Sequence, residues 1–398
     1  MKRLVVFSIA LVLILANCQK SEVLSSEIKI DAAFSTKTSN FAFDFWKTFQ
    51  KNESIDKNYF ISPLSLHIAL GMLLNGADTQ TKTEIQKVLG FENENMDSIN
   101  STYLELIEKL PEVDPKVINT IANSVWQEKS FLPEKDFINT LESQFKARLY
   151  VESFSSPATL TKINQWASDN TNGKIKKILE EISPSQVMFL VNALYFKGDW
   201  TNQFDAKTTR KADFFGTKGT TVVSMMNKNE KLKYVDMPDY QLVELPYGNE
   251  KYVMHVLLPK KLSVEETVKN LDNEKWKAAL SKLTSTKIIL ELPKFTIEYS
   301  KKLNEILIQM GMKKAFTNEA DLSKIVKPAG RLKVDFVKQD TYVAVDEKGT
   351  EAAAVTTIGI EVTSLPVYPE VICNKPFAFM ISEKTSNTIL YLGKVSNL

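Results

Sequence analysis

A segment of about thirty residues between two strand-like stretches near the carboxyl end constrains the fold more than any other feature of the sequence. The first stretch ends near Asp346 and the second begins near Phe377, and the residues between them indicate neither a helix nor a compact turn. A loop of this length inside a compact domain is usually functional or disordered. The composition of the loop therefore has to decide between these two interpretations.

The amino-terminal part of this loop, Gly349 to Thr357, contains no proline and only small or β-branched residues after Glu351. Successive side chains of a strand point to opposite faces. One face of such a strand would be uniformly small, formed by Thr350, Ala352, Ala354 and Thr356. The segment could then slide between two existing strands, with Glu351 facing solvent. Composition alone nevertheless favours an alanine-rich helical turn or a disordered loop.

The order of the predicted elements indicates an α+β architecture. Apolar residues at helical spacing predict helices in the first half, over 41–50, 65–75, 81–89, 96–110, 133–145 and 159–170. The run Val187 to Phe196 is almost entirely apolar, as in a strand buried on both faces. Further strands are predicted over 222–226, 241–245, 252–258, 287–292, 331–345, 377–382 and 389–395. Helices followed by strands are typical of α+β rather than wound α/β domains.

The first eighteen residues predict export. Lys2 and Arg3 precede an apolar run from Leu4 to Ala16, which is shorter than the roughly 20 residues that a membrane-spanning helix needs. Residues 15–18 resemble the site at which bacterial lipoproteins are cleaved and lipidated, with Cys18 as the acceptor. The alternative is ordinary signal cleavage that releases a secreted or periplasmic protein. Residues 19–37 are predicted to be a flexible tether, and lipidation would place the protein at the outer membrane or cell surface.

Charge and composition exclude several other classes of function. Lys and Arg number 50 and Asp and Glu number 48, so the net charge of +2 gives no reason to expect a nucleic-acid partner. The only histidines, His67 and His255, are not in ligand-like spacing, and we expect no metal or cofactor. With Cys18 lipidated, Cys373 would be the only thiol, so no internal disulfide is expected.

Four motifs in order along the chain resemble the serpin family. The run Asp346 to Ala353 is similar to the serpin hinge, and Phe60 to Ser65 to the shutter segment. Val191 to Trp200 resembles the central strand and the breach, and Asn374 to Phe377 the strand after the exposed loop. The resemblance covers residues 38–398 as a single domain. It implies a monomer with three β-sheets, eight or nine helices and an exposed reactive loop.

The resemblance also assigns roles to particular residues. It implies a hinge formed by Glu347, Gly349, Thr350, Glu351, Ala352, Ala353 and Ala354. It implies a shutter and breach that include Ser62, Asn192, Trp200 and Gln339. Many serpins have histidine where this chain has Gln339. Gln339 should still pair with Asn192, but its amide cannot act as a protonation switch.

The implied activity is suicide inhibition of serine, and by extension cysteine, endopeptidases, which would make the chain an inhibitor rather than an enzyme. A target protease would cleave the loop, form an acyl bond and be trapped as the loop enters the central sheet. The usual spacing in the serpin family, counted forward from Glu347, implies a reactive bond at Thr363–Ser364, whereas the same spacing counted back from Asn374 implies Leu365. Threonine before the cut favours elastase-like or subtilisin-like targets with small pockets, with papain-like enzymes as a further class.

Two other functions compete with this interpretation. A non-inhibitory serpin that acts as a binding or chaperone module is the stronger alternative, although the stretch Gly349 to Thr357 lacks bulky residues and proline. A serine hydrolase is the enzyme alternative, but the sequence has no Gly-x-Ser-x-Gly elbow.

Overall fold

The computed structural model of the chain describes residues 28–327, 332–350 and 368–398. Several predictions fall outside these ranges and concern the signal sequence with Cys18, the hinge residues Glu351, Ala352, Ala353 and Ala354, and the reactive residues Thr363, Ser364 and Leu365.

Nine α-helices occur in the described part of the chain, in agreement with the expected eight or nine. They are α1 (Ala32–Lys51), α2 (Pro63–Gly76), α3 (Thr79–Leu89), α4 (Met96–Lys109), α5 (Lys135–Phe145), α6 (Pro157–Asn170), α7 (Val264–Asn270), α8 (Asn273–Leu280) and α9 (Asn304–Met310). The six helices predicted from apolar spacing correspond to α1 to α6. Helix α2 is buried along almost its whole length, which explains its nearly uniform apolar sequence.

The strands are distributed over both halves of the chain. They are β1 (Tyr59–Ile61), β2 (Val117–Glu128), β3 (Arg148–Glu152), β4 (Met188–Asp199), β5 (Arg210–Gly216), β6 (Gly219–Asp236), β7 (Tyr240–Pro246), β8 (Tyr252–Pro259), β9 (Thr284–Pro293), β10 (Phe295–Lys302), β11 (Phe336–Val345), β12 (Gly349–Thr350), β13 (Glu370–Ile372), β14 (Phe377–Glu383) and β15 (Thr388–Val395). Strands β2 and β3 lie within the half that was predicted to be mostly helical.

The strands form two hydrogen-bonded sheets. The central sheet has the order β10-β11-β12-β4-β2-β3, and the larger sheet the order β1-β15-β14-β8-β7-β6-β9-β13, with β5 also paired to β6. Strand β6 is 18 residues long and pairs with β5 at its start and with β7 at its end. It therefore connects two of the three sheets that the sequence resemblance implied, so that they form one continuous sheet.

The described structure includes residues 28–37, which the sequence assigned to the tether. Helix α1 begins at Ala32, and the side chain of its N-cap Asp31 accepts a hydrogen bond from the backbone of Ala33. Ile28 and Phe34 are both buried in the main core. These two apolar side chains attach the segment before α1 and its first turn to the folded body. None of the described helices is long and apolar enough to cross a membrane.

Candidate functional site

The pairing of β4 and β11 changes along the length of the central sheet. Strands β4 and β11 run parallel and pair directly over seven positions, from Phe189 opposite Phe336 to Tyr195 opposite Tyr342. Beyond Tyr195 the two strands separate, and β12 lies between them, antiparallel to both. The intact chain therefore already contains the first two residues of an additional strand at one end of this sheet.

Gly349 fits at this point because its backbone lies against the backbone of β4. A Cβ atom on Gly349 would lie 2.0 Å from the carbonyl oxygen of Gly198 and 2.7 Å from the Cα atom of Asp199. Backbone atoms cannot move aside without breaking the pairing of Gly349 with Asp199 and of Thr350 with Gly198. The hinge motif therefore requires glycine at this position.

Thr350 is fully buried, and its Oγ1 atom lies 2.8 Å from the hydroxyl of Tyr247. The Tyr247 ring stacks on Trp200, with ring centroids 4.4 Å apart and an interplanar angle of 15°. Burial raises the pKa of Tyr247 well above its ordinary value, so the phenol stays protonated at neutral pH. Sequence reasoning missed Tyr247, since no motif connects it with a residue about one hundred positions later.

The structure places Trp200 directly beside the hinge. Its Nε1 atom donates to the carbonyl oxygen of Asp346 over 3.0 Å, and its backbone nitrogen donates to the carbonyl oxygen of Lys348 over 2.8 Å. The side chain is 3% exposed. The turn between β11 and β12 is therefore held from one side by a single buried tryptophan.

Glu347 attaches the same turn to the larger sheet. Its carboxylate accepts hydrogen bonds from Lys294 over 2.7 Å and from Thr209 over 2.9 Å. Its carbonyl oxygen accepts a hydrogen bond from the backbone of Phe204 over 2.7 Å. Burial acts to raise the pKa of Glu347, but the hydrogen bonds from Lys294, the backbone and Thr209 outweigh it, and the pKa lies below its ordinary value.

The residues predicted to form the shutter lie where β4 and β11 pair directly. The Gln339 side chain accepts a hydrogen bond from the Ser62 backbone nitrogen over 2.8 Å and donates to the Ser62 carbonyl oxygen over 2.9 Å. The Ser62 hydroxyl donates to the carbonyl oxygen of Leu390 and also caps α2 by accepting from the Ser65 nitrogen. The backbone of Gln339 is opposite that of Asn192. The side chain of Asn192 lies outside the described part of the structure, so the expected side-chain pairing stays a prediction.

The outer face of the central sheet is covered by α6 and the segment that follows it. Ile163 of α6 belongs to a small apolar cluster with Phe189 of β4 and Phe336 of β11. Lys338 of β11 donates a hydrogen bond to the carbonyl oxygen of Ile178 in the segment after α6. A strand added between β4 and β11 would therefore have to pass beneath this layer.

The two histidines serve as packing residues. Both are buried, with His67 Nδ1 2.8 Å from the Tyr103 hydroxyl and His255 Nε2 3.3 Å from the Glu244 carboxylate. Cys373 is a buried free thiol. Within the described ranges, no group of three or more His, Cys, Asp or Glu side chains is arranged to hold a metal ion.

These features define a single-domain α+β protein whose central sheet holds the start of an extra strand. The sequence profile of the serpins, the serine protease inhibitors, matches residues 36–398. The chain belongs to the serpin family.

Relatives and solved structures agree with this assignment over nearly the whole chain. Human serpin B11 is 33% identical, and the alignment covers 92% of this chain and 99% of that protein. A serpin-like protein of Thermococcus kodakarensis is 32% identical over 90% of this chain and 84% of its own length. The native structure of tengpin, a thermophilic serpin, superposes with a TM-score of 0.86 at 34% identity, covering 94% of this chain and 96% of tengpin.

Another structural neighbour binds a small molecule. Thyroxine-binding globulin, solved in complex with thyroxine, superposes with a TM-score of 0.84 at 29% identity, covering 92% of this chain and 99% of that protein. The fold by itself therefore does not separate inhibitors from binding proteins.

Proposed function

We propose that this protein is an inhibitory serpin that traps a target protease by inserting its cleaved loop between β4 and β11. The observation that carries the proposal is the position of β12. Thr350 is already paired with Gly198 on one side and Val345 on the other, and it is fully buried there. Insertion would extend an existing strand rather than start a new one.

The register of β12 specifies where the following residues would lie. Continuing the antiparallel pairing by two residues would place Ala352 opposite Phe196 of β4 and Val343 of β11. Both neighbours are fully buried, so little room is left for a larger side chain. The even-numbered residues after Thr350 would face the core as it does, and the first three of them, Ala352, Ala354 and Thr356, are small.

Insertion would also change how β4 and β11 are paired. The seven direct pairs between Phe189–Tyr195 and Phe336–Tyr342 would give way to one antiparallel ladder on each edge of the new strand. Each inserted residue would then gain backbone partners in the sheet. The same exchange would separate Gln339 of β11 from Asn192 of β4. The predicted shutter would therefore have to open during insertion.

We propose Thr363–Ser364 as the cleaved bond, with Leu365 as the second choice. Cleavage after Leu365 would leave Pro366 immediately after the cut, where proteases generally accept it poorly. No Lys or Arg occurs between Lys348 and Lys375. Targets are therefore elastase-like or subtilisin-like proteases with small aliphatic pockets, with papain-like enzymes as a further class, and the protein acts as a monomer without its own catalytic residues.

A second candidate function is ligand binding or chaperoning without protease trapping. The similarity to thyroxine-binding globulin supports it. The positions of Gly349 and Thr350 between β4 and β11 favour the inhibitory function. A binding protein that does not insert its loop has no evident need for a partly formed strand.

One experiment tests the function, its target class and the cut site together. The purified exported chain is incubated separately with subtilisin, pancreatic elastase and papain, and denaturing gels and mass spectrometry follow the products. We expect an adduct that survives denaturation, and a released peptide that begins at Ser364. Cleavage by all three proteases without any adduct would contradict the inhibitory function and favour the non-inhibitory alternative.

We also propose that the protein is exported and anchored by a lipid on Cys18. The positively charged start, the apolar run Leu4 to Ala16 and the residues before Cys18 support this. Mass spectrometry of the amino-terminal peptide from bacterial membranes tests it, with Cys18→Ala as the control. An unmodified amino end in the soluble fraction would favour a secreted or periplasmic protein.

A further inference from the structure

Tyr247 lies in a turn that is fixed to the end of β4. The backbone of Trp200 forms an isolated β-bridge with Tyr247. On either side of this bridge, the Gly248 nitrogen donates to the Asp199 carbonyl oxygen, and the Thr201 nitrogen donates to the Pro246 carbonyl oxygen, each over 2.9 Å. The position of the Tyr247 backbone is therefore set by the strand against which the hinge pairs.

The other side of the turn is fixed by Asp114. Its carboxylate accepts a hydrogen bond from the Asn249 nitrogen over 2.6 Å, and the Asn249 side chain donates to the Val113 carbonyl oxygen over 2.9 Å. Gly248 has a φ of 46°, and a Cβ atom there would lie 2.0 Å from an oxygen of Asp114. Only glycine fits this contact, so the turn is closely packed against Asp114.

The Tyr247 ring is enclosed by side chains and by a glycine. It is fully buried, stacks on Trp200 and meets Phe196 edge-on, with ring centroids 5.2 Å apart and an interplanar angle of 68°. A Cβ atom on Gly198 would lie 3.0 Å from the ring, so the glycine leaves room for it. This packing therefore fixes the position of the Tyr247 hydroxyl, and its hydrogen-bond partner is Thr350 Oγ1.

We propose that Tyr247 is a positioning residue for protease trapping. It holds Thr350 between β4 and β11, so that the cleaved loop starts to insert from a strand that is already begun. The inference rests on the proposed function. The rate of insertion scales with the fraction of molecules in which Thr350 is in place. Slower insertion gives the acyl bond more time to hydrolyse, and the inhibitor is then consumed as a substrate.

The test compares Tyr247→Phe with the control Tyr391→Phe, using subtilisin as the probe protease. Tyr391 is also fully buried, and its hydroxyl donates one hydrogen bond over 2.7 Å, to Asn119. Both variants lose one buried hydrogen bond and keep the ring, so similar decreases in melting temperature are expected. Only Tyr247→Phe should raise the ratio of hydrolysed to trapping inhibitor molecules, by up to about tenfold for one neutral hydrogen bond.

Substitutions on the other side of the bond make the test specific. Thr350→Val keeps the branched shape but loses the hydroxyl, and it should raise the stoichiometry as much as Tyr247→Phe does. Combining the two should add nothing further, because both remove the same hydrogen bond. Thr350→Ser keeps a hydroxyl and should remain close to the wild type.

The outcomes separate this inference from the proposed function. A wild-type chain that subtilisin, pancreatic elastase and papain all cleave without being trapped would overturn the proposed function and the role of Tyr247 with it. Normal trapping by the wild type, with Tyr247→Phe no different from Tyr391→Phe, would overturn only the role of Tyr247. Effects of Tyr247→Phe and Thr350→Val that multiply in the double variant would also overturn it.

Discussion

Replacing Thr350 by arginine should convert the inhibitor into a substrate. The side chain is fully buried and shares its space with the Tyr247 phenol. Among the described residues, the hydrogen-bond partner of Thr350 Oγ1 is the neutral Tyr247 hydroxyl, so an arginine at this position would bring its charge into a buried, uncharged contact. An uncompensated buried charge costs about 3–5 kcal/mol, which corresponds to a shift of about a hundredfold or more in the population with the hinge in place.

The assay measures the stoichiometry of inhibition of subtilisin and the cleaved fraction on denaturing gels. Thr350→Arg should be cleaved at the same bond and leave nearly all the protease active. Thr350→Ser controls for the substitution itself, because it keeps the small size and the hydroxyl, and it should still trap the protease. Equal stoichiometry for Thr350→Arg and the wild type would refute the claim that this position must enter the sheet.

Three further predictions concern stability. The pKa of Glu347 in the folded chain lies below its ordinary value of 4.5. The ionised carboxylate therefore stabilises the fold above pH 4.5, and this stabilisation is lost as the pH falls through the lower pKa of the folded chain. Melting temperatures measured from pH 6 to pH 3.5 should therefore decrease less in Glu347→Gln than in the wild type, and parallel decreases would contradict this. Burial lowers the pKa of His67 from 6.5 to about 3, so the unfolded chain binds the proton first as the pH falls. The His67 contribution should make the free energy of unfolding about 2 kcal/mol lower at pH 5 than at pH 7, and His67→Gln should abolish that difference in denaturant titrations. Gln339→Ala would leave the buried Ser62 nitrogen unpaired and remove one of two donors to the Ser62 carbonyl oxygen, which keeps the Leu66 nitrogen. It should cost about 1–3 kcal/mol in the same titrations, whereas a loss below about 0.5 kcal/mol would show that water replaces the amide.

Much of the fold was predictable because local patterns and burial agree. The apolar run that contains Val191 forms a buried strand of the central sheet, and the helices predicted by periodicity occur as α1 to α6. Strand β2 was missed because its sequence mixes Asn, Thr, Ser and Ala with apolar residues, so no period is visible. It is a strand through its pairing with β4, which is a tertiary contact. Residues 28–37 were assigned to the tether because the apolar side chains that contact the core there, Ile28 and Phe34, lie in a mostly polar stretch.

The candidate site was predictable only where it lies on contiguous sequence. The motif drew attention to Gly349 as a predicted hinge residue, and the structure shows that glycine is needed there for the close approach to the Gly198 backbone. The contacts of Thr350 with Tyr247 and of Glu347 with Lys294 join residues that are distant in sequence. Such contacts depend on how the two sheets pack, and one sequence contains no signal that reports it.

Amide hydrogen exchange of residues 351–357, measured by mass spectrometry before and after cleavage, tests insertion most directly. If the cut loop becomes a strand between β4 and β11, these amides should exchange orders of magnitude more slowly in the cleaved protein than in a free peptide of the same sequence. Exchange at the free-peptide rate in cleaved, still folded protein would contradict the proposed mechanism.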